Sequence, residues 1–170
     1  MNLKEKIREI PNFPKEGILF YDVTTLLKDP KAFRYAVDQM VGEFRGRGVQ
    51  KVVAIESRGF IFGGPLAYEL GAGLIPVRKP GKLPGDRYEE KYNLEYGSDV
   101  LAIHRDAIDP GEKVLIVDDL LATGGTISTT INLVQRLKGE IVGIAFLIEL
   151  AALKGREKVN GFPIHTLTTY

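Results

Sequence analysis

Between Val114 and Thr126 the chain reads VLIVDDLLATGGT, and two kinds of chemistry sit side by side in it. Asp118 and Asp119 are adjacent carboxylates that close an apolar run. Such a pair can accept hydrogen bonds from two neighbouring hydroxyls, or hold the waters of a hard cation such as Mg²⁺. Ala122, Thr123, Gly124, Gly125 and Thr126 follow almost at once. Glycines let the backbone turn sharply and aim several N–H groups in one direction. Two threonine hydroxyls add donors, and a helix starting here adds the positive end of its dipole. The run is either a plain glycine turn or a cradle for one phosphate. Neither G-x-x-x-x-G-K-[ST] nor a helix-opening G-x-G-x-x-G occurs, so the larger nucleotide cradles are excluded. A diol acceptor followed by a one-phosphate cradle fits a ribose 5-phosphate.

These groups need a scaffold, and the pattern of the chain predicts one. Asp29-Pro30 is a helix start, and Phe33, Val37, Met40, Val41 and Phe44 then share one helical face until Gly46 and Gly48. Lys51–Ile55, Leu74–Val77, Val114–Val117, Ile141–Ile148 and Pro163–Thr169 read as strands. Ile61–Leu70 and the stripe Ile127, Ile131, Val134, Leu137 read as helices between them. Alternating strands and helices imply an α/β fold: a mostly parallel central sheet flanked by helices. Ligands in such folds bind at the carboxyl ends of the strands. That rule singles out Glu56-Ser57-Arg58-Gly59, Arg78-Lys79 and Asp118-Asp119. The segment 78–92, RKPGKLPGDRYEEKY, reads as lacking an apolar face; it is expected to be a lid or arm, or else a disordered insert. His104 is expected at a strand end near it, and His165 within a strand, both without a chemical role.

Composition removes other classes. The chain of 170 residues suits one domain, 1–170. It contains no cysteine, which excludes disulfides, redox pairs and thiolate metal sites, and two histidines are too few for a histidine-rich metal centre. A formal net charge of +1 gives no reason to expect a nucleic-acid or membrane partner. The charged N-terminal stretch MNLKEKIREI lacks a signal-like apolar core, so a cytoplasmic protein is expected.

VLIVDDLLATGGT resembles the phosphoribosyl diphosphate (PRPP) fingerprint of the type I phosphoribosyltransferases, in the form carried by their adenine-using branch. FPKEGILF (13–20), ESRGF (56–60), VRKPGKLP (77–84), LEYG (94–97), and Glu149-Leu150 with LKGR (153–156) resemble that branch's segments in the same order. The resemblance spans nearly the whole chain. It implies a type I phosphoribosyltransferase-like fold with a small N-terminal base-binding segment (1–28) and a flexible lid (78–98). It also implies transfer of ribose 5-phosphate from PRPP to N9 of adenine, giving AMP and pyrophosphate.

Carried over residue by residue, it implies that Ala122, Thr123, Gly124, Gly125 and Thr126 hold the 5-phosphate and that Asp118 and Asp119 face the ribose hydroxyls. Arg58 would lie near the diphosphate and the base, and Lys79 and Lys82 would reach the pyrophosphate. Glu95 would sit near N7 of adenine and exchange a proton with that edge. Phe20 and Leu150 would sandwich the purine, while backbone groups of Leu19 and Tyr21 would read its amino edge. Mg²⁺ would be carried by PRPP and water, with no direct protein ligand, and the enzyme would be a homodimer. The chain departs from the family at Tyr21, where a basic residue is frequent; a backbone contact would survive that change, a charge would not. A PRPP-binding regulator and an enzyme for oxo-purines are the competing readings. Against the first stand Glu95 and the lack of room for an added DNA-binding domain; against the second, FPKEGILF and Glu95.

Overall fold

The computed structural model describes residues 1–93 and 98–170. Chain order gives β1 (Arg8–Pro11), β2 (Leu19–Asp22), α1 (Thr24–Leu27), α2 (Pro30–Phe44), β3 (Lys51–Ile55), α3 (Gly59–Leu70) and β4 (Gly73–Val77). Then come β5 (Arg87–Asn93), β6 (Ser98–His104), β7 (Lys113–Leu121), α4 (Gly125–Arg136), β8 (Glu140–Glu149) and β9 (Ile164–Thr169). The central sheet has the order β4-β3-β7-β8-β9, and each neighbouring pair runs parallel.

The alternation along each strand divides the core in two, because successive side chains point to opposite faces. Val52, Leu115, Val117, Ala145 and Leu147 pack with α2 and with Phe62 and Leu66 of α3. Val53, Ile55, Val114, Ile116, Ile144 and Phe146 pack with Ile127, Ile131 and Val134 of α4 and with Leu101 and Ile103 of β6. The strand–helix alternation predicted this layering. Helix α2 begins as read: the Asp29 carboxylate accepts from the N–H groups of Lys31 and Ala32, with proline in the first turn.

Three readings need correction. The apolar run ends at Val117, but the strand does not. β7 continues to Leu121, because β8 goes on pairing with it as far as Leu121↔Glu149. Segment 78–92 is not without an apolar face. Leu83 is buried, Tyr88 and Tyr92 pack against the α4-side core, and residues 87–93 form β5, paired antiparallel with β6. The charges between the tyrosines hid that face. The N-terminal segment, for which no element was read, contains the antiparallel hairpin β1–β2.

Candidate active site

Strand lengths create the site. β3 pairs with β7 only as far as Ala54↔Val117, while β8 accompanies β7 for four residues more. Asp118 and Asp119 therefore emerge where the β3 side of β7 has lost its strand partner. The turn from β3 into α3, carrying Arg58 and Gly59, fills that place. Its approach is close: a β-carbon on Gly59 would stand 2.9 Å from Asp118 Oδ1 and 3.1 Å from the Val117 carbonyl.

The Arg58 guanidinium spans two parts of the chain. Its Nε lies 2.8 Å from Asp119 Oδ2. Its central carbon stands 5.6 Å from the ring centroid of Phe20, which in turn meets Phe13 edge-on at 5.1 Å. A planar, permanently charged group can hold an ion pair at its edge and an aromatic ring on its face together. Asp118 Oδ1 accepts from the Asp119 N–H at 2.9 Å. Burial pushes the Asp118 carboxyl well above the usual range, and the neighbouring Asp119 charge pushes it further. Burial also raises Asp119, with Arg58 opposing. The pair has thus been stripped of water without full compensation, and hydroxyl donors from a ligand would supply it.

The glycine turn opens α4 directly. Gly124 is the N-cap, in the left-handed conformation (φ 83°), and no side chain caps the helix. Among the described residues no side chain is seen accepting from the first-turn N–H groups of α4, which is the electrostatic condition for holding an anion. Asp118, Leu120, Leu121, residues 122–127 and Phe146 bound a small recess of ≈ 70 Å³. Gly155 fixes the turn from behind. A β-carbon on Gly124 would sit 2.6 Å from the Gly155 carbonyl oxygen, and one on Gly155 would sit 2.3 Å from that of Ala122. Thr129 and Thr130 donate to the carbonyls of Gly125 and Thr126, both at 2.9 Å.

Lys79 and Lys82 join this region through Glu56, the residue that follows β3. The Glu56 carboxylate accepts from Arg78 Nε (2.9 Å), the Lys79 N–H (3.0 Å) and Lys82 Nζ (3.0 Å). Burial works to raise the Glu56 carboxyl, but these donors together hold it below its ordinary value. The Lys79 ammonium turns the other way, to Asp99 Oδ2 of β6 at 3.3 Å. Glu56 stands at a strand end that the sequence already singled out; Tyr92 and Asp99 were not singled out, and the tyrosine spacing in 88–92 was the only signal.

On the N-terminal side, Leu19 is exposed, and Phe20 and Tyr21 are half-buried on β2. The Tyr21 ring lies 4.0 Å from that of Tyr170, which supplies an aromatic partner at the position where the family pattern is often basic. Leu150 donates its N–H to the Leu121 carbonyl at 2.9 Å, which ties the residue after β8 to the start of the glycine turn. The next buried acid, Glu149, takes Arg156 Nε at 2.6 Å. His104 closes β6, its Nε2 2.8 Å from the Pro84 carbonyl, and His165 lies in β9. Glu95 lies outside the described residues.

Comparison with known proteins agrees with this geometry. A family model for the phosphoribosyl transferase domain matches residues 23–166. The adenine phosphoribosyltransferase of Clostridium tetani is 57% identical over 170 residues, covering 100% of this chain and 99% of that protein. The crystal structure of the enzyme of the same name from Thermoanaerobacter pseudethanolicus matches with a TM-score of 0.95 and 52% identity, over 99% of this chain and 98% of the other. That of Saccharomyces cerevisiae, complexed with adenine and an imino-altritol bisphosphate, matches with a TM-score of 0.92 and 43% identity, over 97% and 96%. A sheet whose unequal strands leave two acids without a β3 partner beside a glycine-opened helix thus agrees with full-length likeness, and the chain belongs to the phosphoribosyltransferase family, in its adenine phosphoribosyltransferase branch.

Proposed function

We propose that this chain transfers ribose 5-phosphate from PRPP to N9 of adenine, giving AMP and pyrophosphate, in purine salvage. One observation carries the residue assignments. Arg58 bonds Asp119 and faces Phe20 at once, so a single cation links an acid suited to a ribose diol with an aromatic ring suited to a base.

In this reading the 5-phosphate takes the N–H groups and hydroxyls of residues 122–126, and the ribose hydroxyls donate to Asp118 and Asp119. Phe20 and Leu150 flank the purine, and the backbone of Leu19 and Tyr21 reads its amino edge. The C1–O bond breaks, its electron pair leaving with pyrophosphate, and the N9 lone pair forms the new C1–N bond. Negative charge grows on the leaving group, so positive charge already in place lowers the barrier most. Arg58, Lys79 and Lys82 supply it. With adenine bound as its N7–H tautomer, N9 attacks with its free lone pair and Glu95 takes the N7 proton, so that neutral AMP is formed. Segment 78–98 covers the site and excludes water, which would otherwise capture the ribosyl group.

Mg²⁺ fits this arrangement through PRPP and water. Asp119 is already paired with Arg58, and burial holds Asp118 toward protonation. Such an ion, when bound, would neutralise charge on the departing diphosphate. Ile61 and Tyr68 of α3 and Leu74 of the edge strand β4 are exposed apolar residues, which supports assembly as a homodimer through that face. The proposed setting is the cytoplasm; among the described residues no helix is long and apolar enough to cross a membrane.

The test offers the protein PRPP, Mg²⁺ and each purine base separately, and follows nucleotide and pyrophosphate. AMP from adenine alone is expected. Turnover of hypoxanthine or guanine at a similar rate overturns the base assignment, and PRPP binding without turnover of any base overturns the activity.

A further inference from the structure

Lys79 is one of the cations assigned above to pyrophosphate, yet in the unliganded protein its ammonium is not open to solvent alone. Asp99 Oδ2 lies 3.3 Å from Lys79 Nζ, and the same oxygen accepts the Tyr92 hydroxyl at 3.1 Å. The other carboxylate oxygen, Oδ1, accepts the Val100 N–H at 2.9 Å. Tyr92 in turn stands over the glycine turn: a β-carbon on Gly125 would meet its ring at 3.4 Å. The polar chain Tyr92–Asp99–Lys79 therefore links a ring packed on the glycine turn to the diphosphate cation.

The two carboxylates near these cations are not equivalent. Glu56 is almost wholly enclosed, its side chain 6% exposed, and its three donors come from residues 78–82. Asp99 is 24% exposed and Lys79 53%, on opposite sides of an ion pair that solvent reaches. An exposed pair of this kind is weak and exchanges its partner readily. A diphosphate bearing several charges outbids one carboxylate for the ammonium, but the carboxylate stays nearby and repels it.

We infer that Asp99 is the internal counter-ion of Lys79, a positioning residue that holds the ammonium ready beside the cradle and, by competing for it, weakens the grip on pyrophosphate and speeds its release. The inference rests on the assignment of Lys79 to pyrophosphate.

The test is titration calorimetry of the full chain with inorganic pyrophosphate and Mg²⁺, at low and high salt. Asp99→Asn keeps the acceptor for Val100 and removes the charge. It is expected to bind pyrophosphate about two- to fivefold more tightly at low salt, with the gain shrinking at high salt. Lys79→Ala is expected to bind more weakly, and Asp99→Asn should gain less affinity on top of it than on the wild type, because only the direct repulsion is then relieved. Tyr92→Phe, which frees Asp99 from its second partner without removing the charge, should change affinity less than Asp99→Asn. Far-UV circular dichroism and the thermal midpoint check that each variant is folded. Unchanged or weaker binding by Asp99→Asn, with Lys79→Ala weakened, overturns the counter-ion role alone. Wild-type binding by Lys79→Ala overturns the assignment beneath it and the inference with it.

Discussion

Gly124→Ala tests the phosphate cradle at its tightest point. Gly124 has φ 83°, and its missing β-carbon would lie 2.6 Å from the Gly155 carbonyl oxygen. Alanine in the left-handed region costs about 1–2 kcal/mol, offset in part by about 0.4–1 kcal/mol from the stiffer unfolded chain. The contact adds more. The two atoms must separate by about 0.8 Å to move from 2.6 Å to the 3.4 Å at which ordinary contact begins, and the obstructing atom is backbone. Overpacking of this kind costs about 1–3 kcal/mol, so the net loss should be about 2–4 kcal/mol. Relief by displacing the turn would re-aim the N–H groups that open α4, and the KM for PRPP should rise about tenfold or more, as for the loss of a charge-assisted hydrogen bond. Gly111→Ala is the control: its φ is 86° but nothing lies within 4 Å of the added carbon. It should lose about 1 kcal/mol and leave the KM for PRPP unchanged. Urea denaturation and steady-state kinetics measure both. If the two variants lose equal stability, within about 0.5 kcal/mol, and share the wild-type KM, the steric account of the cradle is refuted.

Asp118→Asn should lower activity yet raise stability at neutral pH by about 1 kcal/mol. Burial raises the folded-state pKa of Asp118, so its ionised form costs folding energy above the ordinary carboxylate range; the gain should shrink as pH drops and be gone about a unit below the ordinary value of about 3.9, where the wild-type group is protonated in both states, and urea melts across pH read this. Asp22 behaves oppositely: the Arg8 guanidinium holds its carboxyl at about 2, so the stability it adds is present above the unfolded value and is lost as pH falls from about 4 to about 2. Because Arg8 is half exposed, Arg8→Ala should cost less than about 1 kcal/mol and flatten that acid limb of the melting curve. Glu95→Gln should cut kcat about 100-fold and leave the KM for PRPP within about twofold, a split that equal losses in both would contradict.

The layered scaffold was legible in the sequence because its signals are local and repeated. β-branched runs, a capped α2 and the α4 stripe each reported burial on one face, and the order of elements left a parallel sheet as the economical arrangement. The acid pair and the glycine turn were legible for a similar reason, since Asp118 to Thr126 are contiguous and need no distant partner to be recognised. Strand β5, within the segment read as lacking an apolar face, was missed because that face consists of tyrosines separated by charges. Its burial depends on α4, far along the chain, offering a surface to cover it.

What the chain alone determined, then, is which groups are available: two acids, a glycine turn with two threonines, an arginine after β3 and a basic segment. Tertiary structure decided how they meet. β3 stops opposite Val117 while β8 carries β7 on to Leu121, and that mismatch opens the space in which Arg58 reaches Asp119. The same packing brings Phe20 under Arg58, Gly155 behind Gly124, and Asp99 to Lys79. Each of these is a contact between residues remote in sequence. Its geometry follows from strand lengths and packing distances, which no local pattern encodes.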